Sequence, residues 1–303
     1  MNGILVLDKP VGPSSTQALS AARRLFGAAK AGHGGTLDPM ASGVLPVLFG
    51  EATKFAQQGL DAEKTYQAQI RLGQETTTGD AEGEVVATAA VDVSVDEIDQ
   101  VLLAQLGLQM QTPPMFSALK HQGRPLYEYA RAGQTVDKPA RQIQIFRLTR
   151  LAFASPDLTI EVHCSKGTYI RVLAQTIGRS LGCGAHLAGL RRTAVAGLLI
   201  GQSVSLEDLD QMAPQDRPQC LLPVDALAAD WPRVDLTAAQ ATDLGFGRSL
   251  DWVGSMTASD DSSACHLAAK LRLYDHHQRF LGIGQVTDGR LIPLRLVAQS
   301  ILH

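Results

Sequence analysis

One carboxylate lies inside a loop that is built for close approach. The stretch GHGGTLDPMASG (residues 32–43) contains four glycines, and Asp38 is its only acidic residue. Pro39 restricts the backbone of Asp38 toward extended conformations, and the glycines let another molecule come near the chain. A carboxylate fixed in this way can act as a nucleophile or a general base. The local pattern alone favours the plainer interpretation that Asp38 is a turn residue and His33 a polar core residue.

Two further segments combine basic and aromatic residues. KGTYIR (166–171) lies at the junction of a predicted strand and helix, where Tyr169 can stack on a base and Arg171 can pair with a phosphate or carboxylate. LRRTAVAG (190–197) is a predicted strand, so its adjacent arginines point to opposite faces. One of them can then meet a phosphate while the other pairs internally. The alternatives are a helix start that packs on a sheet and a solvated strand edge.

Strands and helices alternate around these segments in a way that predicts an α+β domain. Residues 3–8 read as a buried strand, and Ser14 or Ser15 is a candidate cap for a helix that runs to about Phe26. We also predict that residues 32–43 form an irregular loop. The other predicted elements are strands at 44–49, 65–73, 142–153 and 158–164 and helices at 51–60 and 168–181.

The C-terminal part of the chain reads as a separate, smaller unit. Residues 212–223 contain three prolines and are the best linker candidate. Beyond about residue 231 the pattern predicts one short helix and three alternating strands. We therefore expect a large domain over residues 1–230 and a small β-rich module over residues 231–303.

The composition is that of an ordinary globular protein, but the charge is unevenly distributed. The net charge is −3, yet residues 1–50 and 101–200 together have 16 Lys and Arg against 6 Asp and Glu. Residues 51–100 have 3 against 11, and residues 201–250 have 3 against 8. RNA responds to a local basic face rather than to the total charge, so this distribution permits a nucleic-acid partner. Chance segregation among solvated faces is the alternative.

Cysteine usage and the N-terminal residues predict a cytoplasmic protein. Cys164, Cys183, Cys220 and Cys265 form no C-x-x-C pair and no cluster with His at metal-ligand spacing. We therefore expect buried, reduced thiols and no metal site. The N-terminal apolar run, residues 4–7, is too short for a signal peptide or a membrane span.

Taken in order, these segments resemble the TruB branch of the pseudouridine synthases. The matching stretches fall within residues 3–197 and read GILVLDKPVGPSS, GHGGTLDPMASGVLPVLFGEATK, KTYQAQIRLGQETTTGDAEGEVV, PPMFSALKHQGRPLYEYAR, CSKGTYIRVLAQTIG and LRRTAVAG. The resemblance implies a pseudouridine synthase fold, with a mixed, mainly antiparallel central sheet flanked by helices. For residues 231–303 it implies a PUA-like RNA-binding module, on size and strand content alone.

The same resemblance implies an activity and a substrate. The enzyme would isomerise uridine 55 in the T-arm loop of tRNA to pseudouridine by detaching the base from C1′, rotating it and rejoining it through C5. It would need no metal ion or organic cofactor. Its partner would be tRNA, with no membrane and no obligate protein partner, and the protein would be a monomer.

The resemblance also assigns roles to residues of the site. Asp38 would be the nucleophile, Tyr66 would stack on the flipped base and assist proton removal, and Arg171 would pair with Asp38 and favour its ionised form. His33 would fill the space that the base leaves, or contact a flanking nucleotide. The remaining implied contacts are Lys9 and Tyr169 supporting the pocket, Leu190 against the base, and Lys120, Arg124, Arg131, Arg141, Arg191 and Arg192 on phosphates.

One departure from the family pattern and three rival functions need a test. The family loop reads G-H-T-G, whereas this chain has a glycine, Gly34, in place of the threonine. The rivals are a non-catalytic RNA-binding or tRNA-folding chaperone of the same fold, an unrelated hydrolase or phosphotransferase that uses Asp38, and a guide-RNA-dependent relative. The sequence has no P-loop and no D-x-D beside Asp38, which argues against the second, and segments 75–99 and 120–140 look like insertions of stand-alone enzymes, which argues against the third.

Overall fold

The computed structural model describes residues 1–117, 119–134, 136–252 and 270–298. Its α-helices are α1 (Ser15–Leu25), α2 (Ala56–Asp61), α3 (Val95–Ala104), α4 (Leu126–Arg131), α5 (Ile170–Ser180), α6 (Leu206–Gln211) and α7 (Ala238–Gly245). Short 3₁₀ helices lie at Gly50–Phe55, Ile200–Gln202, Arg217–Cys220 and Ala226–Ala228. In the described ranges no helix is both long and apolar enough to cross a membrane.

The strands form one large sheet, one smaller sheet and two hairpins. In chain order they are β1 (Gly3–Lys9), β2 (Ala31–His33), β3 (Ala41–Phe49), β4 (Lys64–Leu72), β5 (Gln74–Thr76), β6 (Val85–Thr88), β7 (Gly107–Gln111), β8 (Lys120–His121), β9 (Arg124–Pro125), β10 (Arg141–Ala154), β11 (Asp157–Cys164), β12 (Ala185–Val195), β13 (Leu198–Leu199), β14 (Val204–Ser205), β15 (Leu221–Leu222), β16 (Arg233–Asp235), β17 (Leu250–Asp251), β18 (Lys270–Tyr274), β19 (Phe280–Thr287) and β20 (Arg290–Leu296).

The large sheet is mixed and mainly antiparallel, as predicted. Its main path runs β14-β1-β3-β12-β4-β11-β10-β7, and β2, β13 and β15 join β3, β12 and β1 at its sides. Only the β1–β14 and β3–β12 pairings of this sheet are parallel in the described ranges. The parallel β3–β12 contact is important for the site, because it brings the strand that follows Asp38 beside the arginine pair of β12.

The strands of the large sheet show two burial patterns, one alternating and one continuous, and the packing of the core explains both. Strand β4 alternates buried and less buried residues, and its buried side, including Tyr66 and Ile70, packs on α3 and α5. Strands β1 and β3 are apolar almost throughout, because both of their faces are covered. One face meets α1 and α6, and the other meets the segment around Leu198 and Leu227.

Helix capping was predicted well, whereas three irregular segments were not. Ser14 caps α1, as predicted, and a capping box of Ser94 and Glu97 opens α3. Residues 32–43 are only partly irregular, because β2 ends at His33 and β3 begins at Ala41. The predicted helix at 51–60 is a 3₁₀ turn followed by α2. The predicted linker 212–223 is wrong as a linker, because β15 within it pairs with β1 and so belongs to the large sheet.

Three of the cysteines lie in the described residues and none of these forms a disulfide. Cys164 and Cys183 are buried, as predicted, whereas Cys220 is only half-buried. Cys265 lies outside the described residues. Burial raises the pKa of the Cys164 thiol to about 11, so this thiol stays protonated at neutral pH.

The C-terminal module has its own sheet and core, and it packs on the large domain. Its strand order is β16-β18-β19-β20-β17, and its core includes Leu244, Leu273 and Leu291. The rings of Phe55 and Phe280 lie 5.4 Å apart across the contact. Asp225, on the large-domain side, accepts hydrogen bonds from Arg272 Nη1 at 3.0 Å and from the hydroxyl of Tyr274. A buried carboxylate therefore joins the two units.

We expect Asp225→Ala to weaken this junction strongly. The change leaves the Arg272 guanidinium and the Tyr274 hydroxyl without their shared partner in a largely buried place, where breaking an ion pair costs about 3–5 kcal/mol. Urea denaturation measures the free energy of unfolding. The control is Asp243→Ala, which breaks an exposed pair with Arg248 and is expected to change little. Equal effects of the two substitutions would contradict a stabilising junction at Asp225.

Candidate active site

The loop that holds Asp38 is fixed by the turn after β1 and by the start of α1. The hydroxyl of Ser15 accepts a hydrogen bond from the Leu37 N–H at 2.7 Å and donates to the Leu37 carbonyl at 2.8 Å. The Gly12 N–H donates to the Pro39 carbonyl at 2.8 Å. Both neighbours of Asp38 are therefore anchored to the segment PVGPSS, and the Asp38 side chain projects from a fixed backbone.

Arg171 lies between two carboxylates. Its Nη2 is 3.2 Å from Asp38 Oδ2, and its Nη1 is 3.1 Å from Asp80 Oδ2. The Arg171 and Asp80 side chains are 8% and 4% exposed, whereas that of Asp38 is 47% exposed. Nη2 also donates to the Phe116 carbonyl at 2.6 Å. The guanidinium is thus held from three directions, and only the Asp38 carboxylate is open to a ligand.

Asp38 and Arg171 line a cavity of about 360 Å³, a volume in the usual range of ligand pockets. Tyr66, Tyr169, Leu190 and Arg192 line the same cavity, so the structure brings together six of the residues that the sequence singled out. In the part of the chain that the structure describes, Asp38 is the only carboxylate among the lining residues.

Burial shifts the pKa values of several other ionisable side chains of the cavity. Burial raises the pKa of Tyr66, and the neighbouring Arg192 opposes this only in part, so the phenol stays protonated. Burial also raises the pKa of Tyr169. Burial and the Arg192 charge lower the pKa of Lys64 to about 8. Lys64 Nζ donates to the carbonyls of Leu60 and Ala62 at 2.8 and 2.6 Å.

Arg192 supports the loop that contains Asp38 from inside the protein. It is 1% exposed, and its guanidinium donates to the carbonyls of Val44, Thr36 and Gly35 at 2.7, 3.3 and 3.2 Å. The prediction that Arg192 contacts phosphates was therefore wrong, because its side chain is buried and its donors are used by the loop backbone. Gly35 has φ of +147°, a backbone conformation that favours glycine.

Arg191 lies on the face of the sheet opposite the cavity. It is opposite Gln67 in the β12–β4 pairing, whereas Arg192 is opposite Tyr66, so the two arginines point to opposite faces as predicted. Its Nη1 and Nη2 lie 3.1 and 2.7 Å from the oxygens of Asp8. This position argues against Arg191 as a phosphate contact for RNA bound at Asp38.

Lys9 and His33 lie near the loop but do not line the cavity. Lys9 Nζ donates to the carbonyls of Pro10 and Pro13 at 2.8 and 2.7 Å, and so supports the turn that holds Pro39. Burial lowers the pKa of Lys9, and the Asp38 charge opposes this in part. Burial and the Arg192 charge lower the pKa of His33, so its imidazole is neutral at pH 7.

The remaining basic candidates lie in the stretch of chain from the end of β7 to the first residue of β10. Lys120 and Arg124 lie on the β8–β9 hairpin, Arg131 ends α4, and Arg141 begins β10. Arg124 is exposed and lies over the ring of Tyr129, with its guanidinium carbon 5.0 Å from the ring centroid. Arg141 is also exposed. All four therefore follow, along the chain, Ser117 and Leu119, which line the cavity.

Family models match three consecutive parts of the chain. Residues 23–170 match the N-terminal domain of TruB family pseudouridylate synthases, residues 171–229 a C-terminal domain of tRNA pseudouridylate synthase B, and residues 232–297 the C-terminal part of pseudouridine synthase II TruB.

Two relatives named tRNA pseudouridine synthase B are each 50% identical to this chain. That of Burkholderia mallei (strain NCTC 10247) aligns over 299 residues, 98% of this chain and 97% of the relative. That of Cupriavidus metallidurans (strain ATCC 43123 / DSM 2839 / NBRC 102507 / CH34) aligns over 303 residues, 98% of this chain and 94% of the relative.

The chain belongs to the TruB family of pseudouridine synthases. It is an enzyme of the isomerase class, as the sequence resemblance implied. Solved structures agree on the fold: a chain of a Cbf5-Nop10-Gar1 complex has a TM-score of 0.72 at 24% identity, covering 98% of this chain and 84% of that chain. The predicted fold, with its small β-rich C-terminal module, is confirmed.

The glycine that departs from the TruB family pattern faces away from the cavity. A Cβ added to Gly34 would lie 3.4 Å from both Gly59 Cα and Pro46 Cβ, and 3.6 Å from Leu227 Cδ1. A side chain at this position would therefore touch α2 and the start of the connection to the C-terminal module. The missing threonine hydroxyl does not leave a gap in the wall of the cavity.

Three contributors to the site of this TruB family enzyme were missed in the sequence. Asp80 lies in TTTGD, which reads as a polar turn, Ser15 reads as a helix cap, and Lys64 precedes Tyr66 by two residues. The spacing of Lys64 and Tyr66 was a usable signal, because residues i and i+2 of a strand share a face. Asp80 and Ser15 gave no local signal, since their partners are distant in the sequence.

We expect Gly59→Ala to be costly and Gly34→Ala to be tolerated. A Cβ at Gly59 would lie 2.7 Å from the Gly34 carbonyl oxygen and 2.9 Å from Gly34 Cα, so the loop backbone must move, at a cost of about 1–3 kcal/mol. Gly34→Ala meets only ordinary contacts, and the free energy of unfolding is expected to stay the same or rise by up to about 1 kcal/mol. Urea denaturation of both variants tests this. A loss for Gly34→Ala as large as that for Gly59→Ala would show that the loop leaves no space at Gly34.

Proposed function

We propose that this enzyme converts uridine 55 in the T-arm loop of tRNA to pseudouridine, with Asp38 as the nucleophile and without a metal ion or organic cofactor. The observation that supports this most is Asp38 itself, a half-exposed carboxylate at the wall of a nucleotide-sized cavity, with its backbone clamped and its side chain paired to Arg171. The relatives' name, tRNA pseudouridine synthase B, supports tRNA as the substrate.

The proposed reaction begins when the Asp38 carboxylate attacks C1′ of the flipped nucleotide. The C1′–N1 bond breaks, its electron pair leaves with the uracil, and an ester forms between Asp38 and C1′. After the base rotates, C5 attacks C1′ and the ester bond breaks, which releases the carboxylate. C5 then loses its proton and N1 gains one, so the product is an isomer of the substrate. Flipping the uridine out of a folded loop costs on the order of a few kcal/mol, which contacts in the cavity must recover.

The neighbours of Asp38 have distinct roles in this proposal. Tyr66 stacks on the uracil as a neutral phenol, since its raised pKa disfavours the phenolate that proton removal would need. Leu190 lies against the base and Tyr169 closes the wall. Arg171 holds the Asp38 carboxylate in line for attack, and Asp80 holds Arg171. His33 contacts a flanking nucleotide rather than the base, because it lies outside the cavity.

We assign RNA binding to the basic residues that follow β7, here called the basic segment (residues 120–141), and to the C-terminal module. Lys120, Arg124, Arg131 and Arg141 contact phosphates of the T-arm, whose shape and unstacked bases carry the recognition. We propose a division at residue 230, with catalysis in residues 1–230 and additional RNA contacts in a PUA-like module in residues 231–303. We further propose a cytoplasmic monomer that needs no protein partner.

The direct test is incubation of the purified protein alone with an unmodified tRNA transcript, followed by mapping of pseudouridine. Product at the T-loop uridine is expected, with no added metal or protein. A tRNA-folding chaperone of the same fold is the other candidate, and the two activities can coexist, because flipping and refolding a loop require no chemistry. Binding without product at position 55 would overturn the enzymatic assignment and leave the chaperone.

Asp38→Asn is expected to abolish pseudouridine formation while tRNA binding survives. The amide keeps the shape of the side chain but is a far weaker nucleophile, so the ester with C1′ does not form. A tritium-release or mapping assay measures turnover, and a filter-binding assay measures tRNA affinity. Turnover by purified Asp38→Asn protein at the normal rate would remove Asp38 from the role of nucleophile.

Arg171→Lys is expected to lower turnover by about 100-fold or more while tRNA affinity changes little. A lysine keeps the charge but cannot span both carboxylates and the Phe116 carbonyl at once. Loss of one preorganised electrostatic contact typically costs about 10²–10³ in rate. The matched control is Arg179→Lys on the same helix, whose exposed pair with Glu75 does not reach the cavity. A defect confined to binding would contradict the proposed role of Arg171.

A further inference from the structure

Gln111 makes an unusual pair of hydrogen bonds near the active site. It is the last residue of β7, the strand at one edge of the large sheet, and it is 6% exposed. Its Oε1 accepts from the Tyr169 N–H at 2.8 Å, and its Nε2 donates to the Tyr169 carbonyl at 3.2 Å. One side-chain amide therefore satisfies both main-chain groups of a single residue, which fixes the position and the orientation of that residue's backbone.

The residue that Gln111 holds is the one from which α5 starts. Tyr169 is the N-cap of α5, and no side chain caps the helix there. Arg171 follows two residues later, in the first helical turn. Because the first turn of a helix takes its direction from the cap, a shift of Tyr169 would displace the Arg171 side chain relative to Asp38.

A second contact joins the same segment to Arg171 directly. Nη2 of Arg171 donates to the Phe116 carbonyl, five residues after Gln111 in the chain. The segment from Gln111 to Phe116 therefore meets α5 at the backbone of its cap and at the guanidinium of its first turn. Among the described residues, no hydrogen bond or ion pair joins this segment directly to Asp38 or Asp80, whereas two hydrogen-bonded contacts join it to α5 and Arg171.

We propose that Gln111 is a positioning residue for the pseudouridylation reaction, which sets the place of Arg171 and through it the orientation of the Asp38 carboxylate. This inference rests on the proposed function of Asp38 and Arg171. Gln111 is also the point where the chain leaves the sheet for the basic segment that contains Arg124. Gln111 therefore supports both the segment that we assign to RNA binding and Arg171, the arginine that orients the Asp38 carboxylate.

The test compares Gln111→Ala with Gln109→Ala on an unmodified T-arm stem-loop. Gln109 has the same side chain on the same strand and face, but its amide donates to the Gln105 carbonyl, away from α5. We expect Gln111→Ala to lower the single-turnover rate constant at least tenfold, with the RNA dissociation constant within about threefold of the parent value. We expect Gln109→Ala to change neither. Equal rates for the two variants would overturn the proposal.

Two further variants separate positioning from a general loss of stability. Gln111→Glu keeps an acceptor for the Tyr169 N–H but loses the donor. It should therefore retain more activity than Gln111→Ala. It also provides a test if Gln111→Ala does not fold. In an Arg171→Lys background, Gln111→Ala should lower the rate less than twofold further, because the path through Arg171 is already broken. A full tenfold effect in that background would show that Gln111 acts elsewhere and would refute the proposal.

A measurement without substrate distinguishes failure of this inference from failure of the proposed function. NMR hydrogen exchange of the Arg171 guanidinium protons should be at least tenfold faster in Gln111→Ala than in the parent or in Gln109→Ala. If the parent makes no pseudouridine, the proposed function fails, and the exchange rates alone decide about Gln111. Unchanged guanidinium exchange in Gln111→Ala would overturn the positioning role whatever the activity.

Discussion

The arrangement of the site depends on one guanidinium held between two carboxylates. Arg171 reaches Asp38 on one side and Asp80 on the other, and these residues come from α5, from the loop before β3 and from the β5–β6 hairpin. A largely buried cation of this kind is tolerated only when its partners and hydrogen bonds are complete. Three separate elements must therefore converge before Arg171 can be buried, and their convergence places Asp38 at the open side of the cluster.

The other buried cations of the region are satisfied by main-chain carbonyls rather than by carboxylates. Lys9 holds the turn at residues 10–13, Lys64 holds the end of α2, and Arg192 holds the loop that contains Asp38. Arg192 also donates to the carbonyls of Thr36 and Gly35 inside the irregular loop, which helps to hold Asp38 in a defined position. A group of three cations in this region suits a polyanionic substrate, although the chain as a whole has a net charge of −3.

The sequence was sufficient for the elements whose signals are local. The strand that contains Tyr66, the cap at Ser14 and the opposite directions of two adjacent arginines all follow from local sequence and backbone geometry, and the structure agrees. It was insufficient where a polar residue meets a distant partner. Asp80 lies in a stretch that reads as a solvated turn, and only the fold brings it to Arg171. Arg192 looked like a surface arginine, since nothing in its neighbours shows that β3 and the glycine loop will cover it.

The glycine at position 34 connects the active-site loop to the rest of the molecule. Gly34 and Gly59 approach so closely that a Cβ at Gly59 would collide with the Gly34 backbone, whereas a Cβ at Gly34 would make only ordinary contacts. The helix that contains Gly59 follows the 3₁₀ turn whose Phe55 packs on Phe280 of the C-terminal module. The loop that contains Asp38, α2 and the C-terminal module thus form a continuous series of contacts. The departure from the family pattern at Gly34 therefore concerns how closely α2 can support the loop, while the wall that would meet the uracil is formed by other residues.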